Sequence, residues 1–178
     1  MHASNNKITR FHYIVFACWL GFTLAAAIYF ISGRLIDFDP KEKLTGKNSR
    51  LVIQQLKEMG ELEGVNLSDT IIHFTSNNCS CTQYSEDHKN DINKQAGLDG
   101  FNVVNINLPA HLESIIPSTP SILIVNKNEE LLYFGPYSIG LACSASNGYV
   151  ETVMQNYAKG YSSSLIMHDA TGCYCNLD

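Results

Sequence analysis

The stretch HFTSNNCSCTQYSEDH, His73 to His88, decides how the chain is read. A short β-branched and mostly apolar run, TIIHFT, leads into it. Two cysteines one residue apart sit in its middle, and polar helix-forming residues follow. This pattern predicts a buried strand, a turn and a helix, with Cys79 just before the helix and Cys81 in or near its first turn. Unpaired backbone N–H groups and the helix dipole favour an anion at that point, so a thiolate there is expected to have a lowered pKa. Such a thiol is a competent attacker and a good leaving group. Three uses compete: a disulfide that exchanges electrons, a pair of metal ligands, and an inert bridge. A Cys79–Cys81 bond would close a tight, strained ring around almost no chain, which suits exchange better than stapling.

Outward from this stretch the elements alternate. SRLVIQQLKEMGEL spaces Leu51, Val52, Leu56 and Met59 as a helix does, with Ser49 as a candidate cap. Polar helix material runs from Thr82 to Gln95 and is expected to stop at Gly97. FNVVNINL, Phe101 to Leu108, is a second strand, and Ile122 to Val125 a third. KNEE supplies a turn and LLYFGPYS a fourth strand, paired with the third as a hairpin. SNGYVETVMQNYAKG is a closing helix with Ser146 or Asn147 at its start and Gly160 at its end. The order predicts an α/β domain: a central mixed sheet with helices on both faces.

The charge balance narrows the function. Of 178 residues, 45% are hydrophobic and 16% charged. After Arg34 there are nine Lys/Arg against seventeen Asp/Glu, a balance of −8. So acidic a body has no electrostatic footprint for a phosphate backbone, and nucleic acid is excluded as a partner. YIVFACWLGFTLAAAIYFI, Tyr13 to Ile31, is 19 residues without a charge. As a helix it reaches about 28 Å, close to the hydrocarbon thickness of a bilayer. Tyr13 and Tyr29 lie near its ends, as interface anchors do. A retained anchor fits better than a cleaved signal peptide or a core helix, because AAA lies inside the run and ISG at its end is a weak cleavage site. Cys18 is read as filler in that helix. Lysines and arginines flank the run on both sides, so charge does not orient it. Five of six cysteines follow it, which favours an oxidising compartment for the body. The expected organisation is a cytoplasmic N-terminus (1–12), a transmembrane anchor in a bacterial inner membrane (13–31), a linker (32–48), a periplasm-facing domain (49–160) and a cysteine-containing tail (161–178).

IIHFTSNNCSC, together with STPSILIVNKNEELLYFGPYS, resembles the thioredoxin superfamily over about Asp69 to Tyr157. The first segment is similar to the family's strand leading into its active-site cysteines. The second is similar to its cis-proline, hairpin and last strand, with Thr119–Pro120 at the cis-proline position and Gly135 at a glycine common in that strand. More narrowly, the chain resembles bacterial membrane-anchored thioredoxin-like proteins of unassigned function. The resemblance implies a thioredoxin-like sheet, Cys79 as nucleophile, Cys81 as resolving thiol, and Pro120 shaping a groove for a bound chain. It implies a thiol–disulfide oxidoreductase acting on protein thiols or disulfides, without a cofactor. Three positions depart from the family pattern. The motif is C-S-C rather than C-x-x-C, Asn78 replaces a large aromatic, and His73 stands where many members bury a carboxylate. A histidine there is suited to take up the proton released in exchange. A hydrogen-bonded core histidine is the other reading, and His88 is expected at the surface.

The remaining cysteines leave two readings open. TGCYCNLD repeats the spacing with Cys173 and Cys175, after the flexible segment GYSSS. This second pair either passes electrons to and from Cys79 and Cys81, or one of its members bridges to Cys143 as a structural tether. A metal reading stands beside both. Cys79, Cys81, Cys173 and Cys175 form a soft donor set for copper, as in thioredoxin-like copper-delivery domains, whereas C-x-C spacing suits a zinc knuckle poorly. His111 and His168 have no companion at ligand spacing.

Overall fold

A computed structural model of the chain describes residues 10–32, 35–109, 112, 114–140 and 148–177. The chain divides into two units, Met1–Arg34 and Leu35–Asp178. In the first, α1 (Arg10–Ser32) is a 23-residue helix with no buried residue. At ~1.5 Å per residue it is about 34 Å long, so it is long and apolar enough to cross a membrane. Thr23 satisfies its own hydroxyl by donating back to Trp19 O at 3.0 Å, so even this polar residue asks nothing of water.

The second unit is built on a mixed five-stranded sheet in the order β3–β2–β5–β6–β7. β2 (Thr70–Thr75) runs parallel to β3 (Asn102–Asn107) and antiparallel to β5 (Ser121–Val125). β5 forms the expected hairpin with β6 (Leu131–Gly135). In its turn Asn126 Oδ1 accepts the N–H groups of Asn128 and Glu130, each at 2.9 Å. Helices cover both faces, as the element order predicts. Val52, Ile53 and Leu56 of α2 (Ser49–Lys57) pack on one side with Ile72, Phe74, Leu123 and Phe134. On the other, Ile92 and Ala96 of α4 (Glu86–Asp99) and Val150, Val153 and Met154 of α5 (Tyr149–Ala158) pack with Ile71, Ile122 and Ile124. β2 and β5 are therefore buried on both faces, which is why their sequences run apolar without alternating.

Several boundaries differ from expectation. Asn48, not Ser49, caps α2: its side chain accepts Leu51 N–H at 2.9 Å, and Ser49 is the first helical residue. The polar helix is split into α3 (Ser80–Tyr84) and α4, and it passes through Gly97 to end at Gly100, whose φ of 80° supplies the left-handed cap. α5 begins after Gly148; Ser146 and Asn147 lie outside the described residues.

The larger difference concerns the segments expected as linker and tail, which belong to the folded unit. β1 (Ile36–Asp37) pairs antiparallel with β8 (Thr171–Gly172), and Phe38 N donates to Ala170 O at 2.8 Å. Phe38 packs edge-on to Tyr174, with ring centroids 5.3 Å apart. Asp39 accepts the backbone N–H groups of Lys43 and Leu44 at 2.8 and 2.7 Å, ordering the residues around buried Leu44. β7 (Leu165–Ile166) joins the main sheet beside β6. Leu177, 1% exposed, closes one face of the core. These strands are two residues long and carry no periodicity; their burial comes from the partners they meet.

Gly135 is where β6 approaches the chain after β7 most closely. A Cβ there would lie 2.8 Å from Met167 Cβ and 2.9 Å from the Tyr133 hydroxyl. Gly135→Ala is expected to cost about 1–3 kcal/mol by overpacking, read as a lower urea midpoint with an unchanged slope.

Candidate functional site

The site forms where β2 turns into α3. After Thr75 the chain folds back so that Cys79 N–H donates to Ser76 O at 3.1 Å, and Thr82 N–H donates to Cys79 O at 3.2 Å. Cys79 is the N-cap residue of α3 and Cys81 its second residue, as the sequence pattern predicts. Facing this turn is β4 (Ser118–Thr119), which leads directly into Pro120. The Thr119–Pro120 peptide bond is cis. Cys79 Sγ lies 3.4 Å from Thr119 O, so a reduced Cys79 would donate its S–H to that carbonyl.

A second C-x-C arrives from the far end of the sequence. β9 (Cys175–Asn176) pairs antiparallel with β4, Thr119 opposite Cys175 and Ser118 opposite Asn176. Contacts beside the cysteines fix this segment. Ser118 Oγ and Asn176 Oδ1 are 2.7 Å apart, Leu177 N donates to Pro117 O at 3.0 Å, and Tyr174 OH donates to Ser138 O at 2.7 Å. Gly172 makes room for that tyrosine, since a Cβ at 172 would lie 2.5 Å from its hydroxyl.

The four sulfurs are joined crosswise. Cys79 is bonded to Cys175 and Cys81 to Cys173, with Cα separations of 5.7 and 5.6 Å. Cys79 and Cys81, expected as each other's partners, are thus each bonded to the opposite pair. The physical reason is separation: two residues of one helical turn reach each other only through a cramped ring, whereas the opposing strand presents its sulfurs at ordinary disulfide spacing. Cys79, Cys81 and Cys173 are 5%, 6% and 7% exposed, and Cys175 is half-buried. Both tail cysteines are engaged, so the alternative tether to Cys143 has no tail sulfur left; Cys143 and His111 lie outside the described residues. Cys18 lies exposed in α1 with a free thiol.

His73 is fully buried on β2, facing α4. Its Nδ1 lies 2.5 Å from Tyr137 OH and its Nε2 2.8 Å from Asn93 Oδ1. The amide oxygen only accepts, so Nε2 carries the proton and Nδ1 accepts from the tyrosine. Burial pushes its pKa down to about 4; the Asn93 bond opposes the shift, and Lys89 adds to it. The ring is therefore neutral at pH 7. The histidine expected on the surface, His88, is also buried, and its Nε2 meets the Glu151 carboxylate. Its ring lies 5.9 Å from that of Tyr137, so both histidines flank one tyrosine. Seven residues of spacing put His88 and Cys81 on similar helical phases, but the break between α3 and α4 spoils that inference.

Residues 49–177 match the family model described as a domain of unknown function, DUF6436, and the chain belongs to that family. Comparison with curated proteins and with solved structures gives no match.

Two outcomes follow from this geometry. His73 titrates at about 4 when folded and near 6.5 when unfolded, so the unfolded chain holds more protons between those values. Its contribution, on the order of 3 kcal/mol, is present above pH 6.5 and lost as pH falls toward 4. The denaturant midpoint should drop across that window, and His73→Gln should flatten the drop; equal drops would refute the assignment. The disulfides enclose sequence separations of 96 and 92. By chain entropy the first closure contributes about 4.7 kcal/mol, while the second encloses only the few residues between the crossings and adds about 2. Cys81→Ser with Cys173→Ser should therefore cost far less than loss of all four cysteines, as read by chemical unfolding.

Proposed function

We propose that the chain is a membrane-anchored thiol–disulfide oxidoreductase of the thioredoxin superfamily. Its folded unit acts on protein thiols or disulfides from the periplasmic side of a bacterial inner membrane. The observation that carries this reading is the convergence of both C-x-C pairs on one strand-to-helix turn, beside the cis Thr119–Pro120 bond. The apolar α1 supports the anchor, and two disulfides suit an oxidising compartment.

In this reading the half-buried Cys175 is the point of entry. A client thiolate attacks Cys175 Sγ, the Cys79–Cys175 bond breaks, and Cys79 leaves as a thiolate. A second client thiol then attacks the client sulfur of the mixed disulfide, forming the client disulfide and releasing Cys175. Two electrons and two protons have passed from the client to the Cys79/Cys175 pair. The Cys81–Cys173 disulfide behind it regenerates the outer pair by internal exchange and becomes a dithiol in turn, until an external disulfide reoxidises it. In this reading Cys175 rather than Cys79 bonds to the client, Cys79 takes the resolving role first expected of Cys81, and the tail acts as a relay rather than a tether. Run backwards, the same steps reduce a client disulfide; direction follows from the potential of the pair relative to the client. Pro120, which has no N–H to occupy the space, borders Cys79. His73 is neutral at working pH and holds the strand rather than carrying the proton.

The test is equilibration of the full chain, in detergent, with glutathione buffers, counting free thiols by alkylation and mass spectrometry. Two successive two-electron steps at potentials above about −300 mV are expected, with Cys79 and Cys175 released first. Turnover of a dithiol client should fall at least about tenfold in the Cys173→Ser/Cys175→Ser chain. If all four cysteines stay bonded under those conditions, the crossing is a staple and the reading fails.

A further inference from the structure

The sulfur cluster has a property that exchange does not require. The Sγ atoms of Cys79, Cys81 and Cys175 all lie within 4.8 Å of one another, while Cys173 stands outside that set. We infer that the reduced protein binds one Cu(I) ion through the thiolates of Cys79, Cys81 and Cys175.

Three observations support this. First, the donors stay together when the disulfides open. Cys79 and Cys81 share the turn into α3, while Cys175 is held opposite Thr119 by β4–β9 pairing, and its neighbours Tyr174 and Leu177 are buried in the core. None of these contacts needs an S–S bond. Second, three sulfurs around one ion with metal–sulfur bonds of about 2.3 Å sit about 4 Å apart, which the cluster reaches with small side-chain rotations. Third, the donor set is sulfur alone in a largely buried setting. Soft thiolates select Cu(I) or Zn(II) over hard cations, and structural zinc asks for four ligands where Cu(I) accepts three. Two buried thiolates side by side repel each other, so a cation there offsets a cost that the reduced apo-protein otherwise meets by staying protonated.

The chemistry balances in two stages. Two molecules of a small dithiol reduce both disulfides, giving four protein thiols and two cyclic disulfides. Cu(I) then replaces three thiol protons, which are released to solvent, and Cys173 remains a thiol. Redox state thereby decides whether these cysteines bond to one another or to the metal. This inference does not rest on the exchange reading, because it needs no client and no turnover.

The experiment uses the full chain in detergent, reduced with a dithiol, freed of it and titrated anaerobically with Cu(I) against a chromophoric chelator, with Zn(II) titrated in parallel. One Cu(I) per chain is expected, with thiolate-to-metal absorption and release of three protons. Cys79→Ser and Cys175→Ser should each weaken binding at least a hundredfold, and Cys173→Ser less than tenfold. Should Cys79→Ser fail to fold, Cys81→Ser must show the same loss. The inference is overturned if no copper is held beyond that of a chain lacking all four cysteines. It is equally overturned if Cys173→Ser abolishes binding, or if Zn(II) binds more tightly with all four cysteines required. Glutathione equilibration, scored on the same protein without metal, reports separately on exchange.

Discussion

The crosswise bonding of Cys79 to Cys175 and Cys81 to Cys173 ties the strand-to-helix turn to the far end of the sequence. One face of the fold closes beside that tie. With residues 165–177 held there, Tyr174 meets Phe38, β8 meets β1, and Leu177 completes the layer over α2 and the sheet. The covalent and non-covalent parts reinforce each other. The bonds lower the entropy of the unfolded chain, and the packed tail keeps four sulfurs at bonding distance without strain from a one-residue ring.

Beneath the site, β2 carries its polar group at no charge. His73 faces α4 between Tyr137 and Asn93, both ring nitrogens engaged and the ring neutral. A charged group there would bear the full penalty of desolvation, which two hydrogen bonds do not offset. The same face holds His88 against Glu151. Buried polar side chains thus gather between β2, α4 and α5. The two hydrogen bonds of His73 fix its ring between Tyr137 and Asn93.

Elements whose own residues demand burial were legible in the sequence. TIIHFT and SILIV are apolar on both sides, so a strand covered on both faces follows from composition. The apolar run of α1 and the hairpin around Asn126 were likewise local matters. Caps were less legible, because Asn48 and Ser49 are both good cap residues and the choice between them turns on one dihedral. No glycine or proline marks the split between α3 and α4, so neither it nor the burial of His88 is legible locally. The four cysteines and the proline that converge here stand out in the sequence, but their pairing does not. Spacing points to a Cys79–Cys81 bond, and nothing local reveals that an opposing strand offers a better geometry.

By itself, then, the sequence determined the inventory: an apolar helix long enough for a bilayer, strands that must be buried, and two C-x-C pairs with a proline between them. These follow from short-range chemistry that every residue carries with it. Tertiary structure alone decided which sulfurs meet, that the apparent linker and tail are parts of one layer, and that His88 lies inside. Those outcomes depend on contacts between residues such as Phe38 and Tyr174, or Cys79 and Cys175, which are far apart in sequence. Such contacts are set by how the whole chain closes, and no local pattern encodes them.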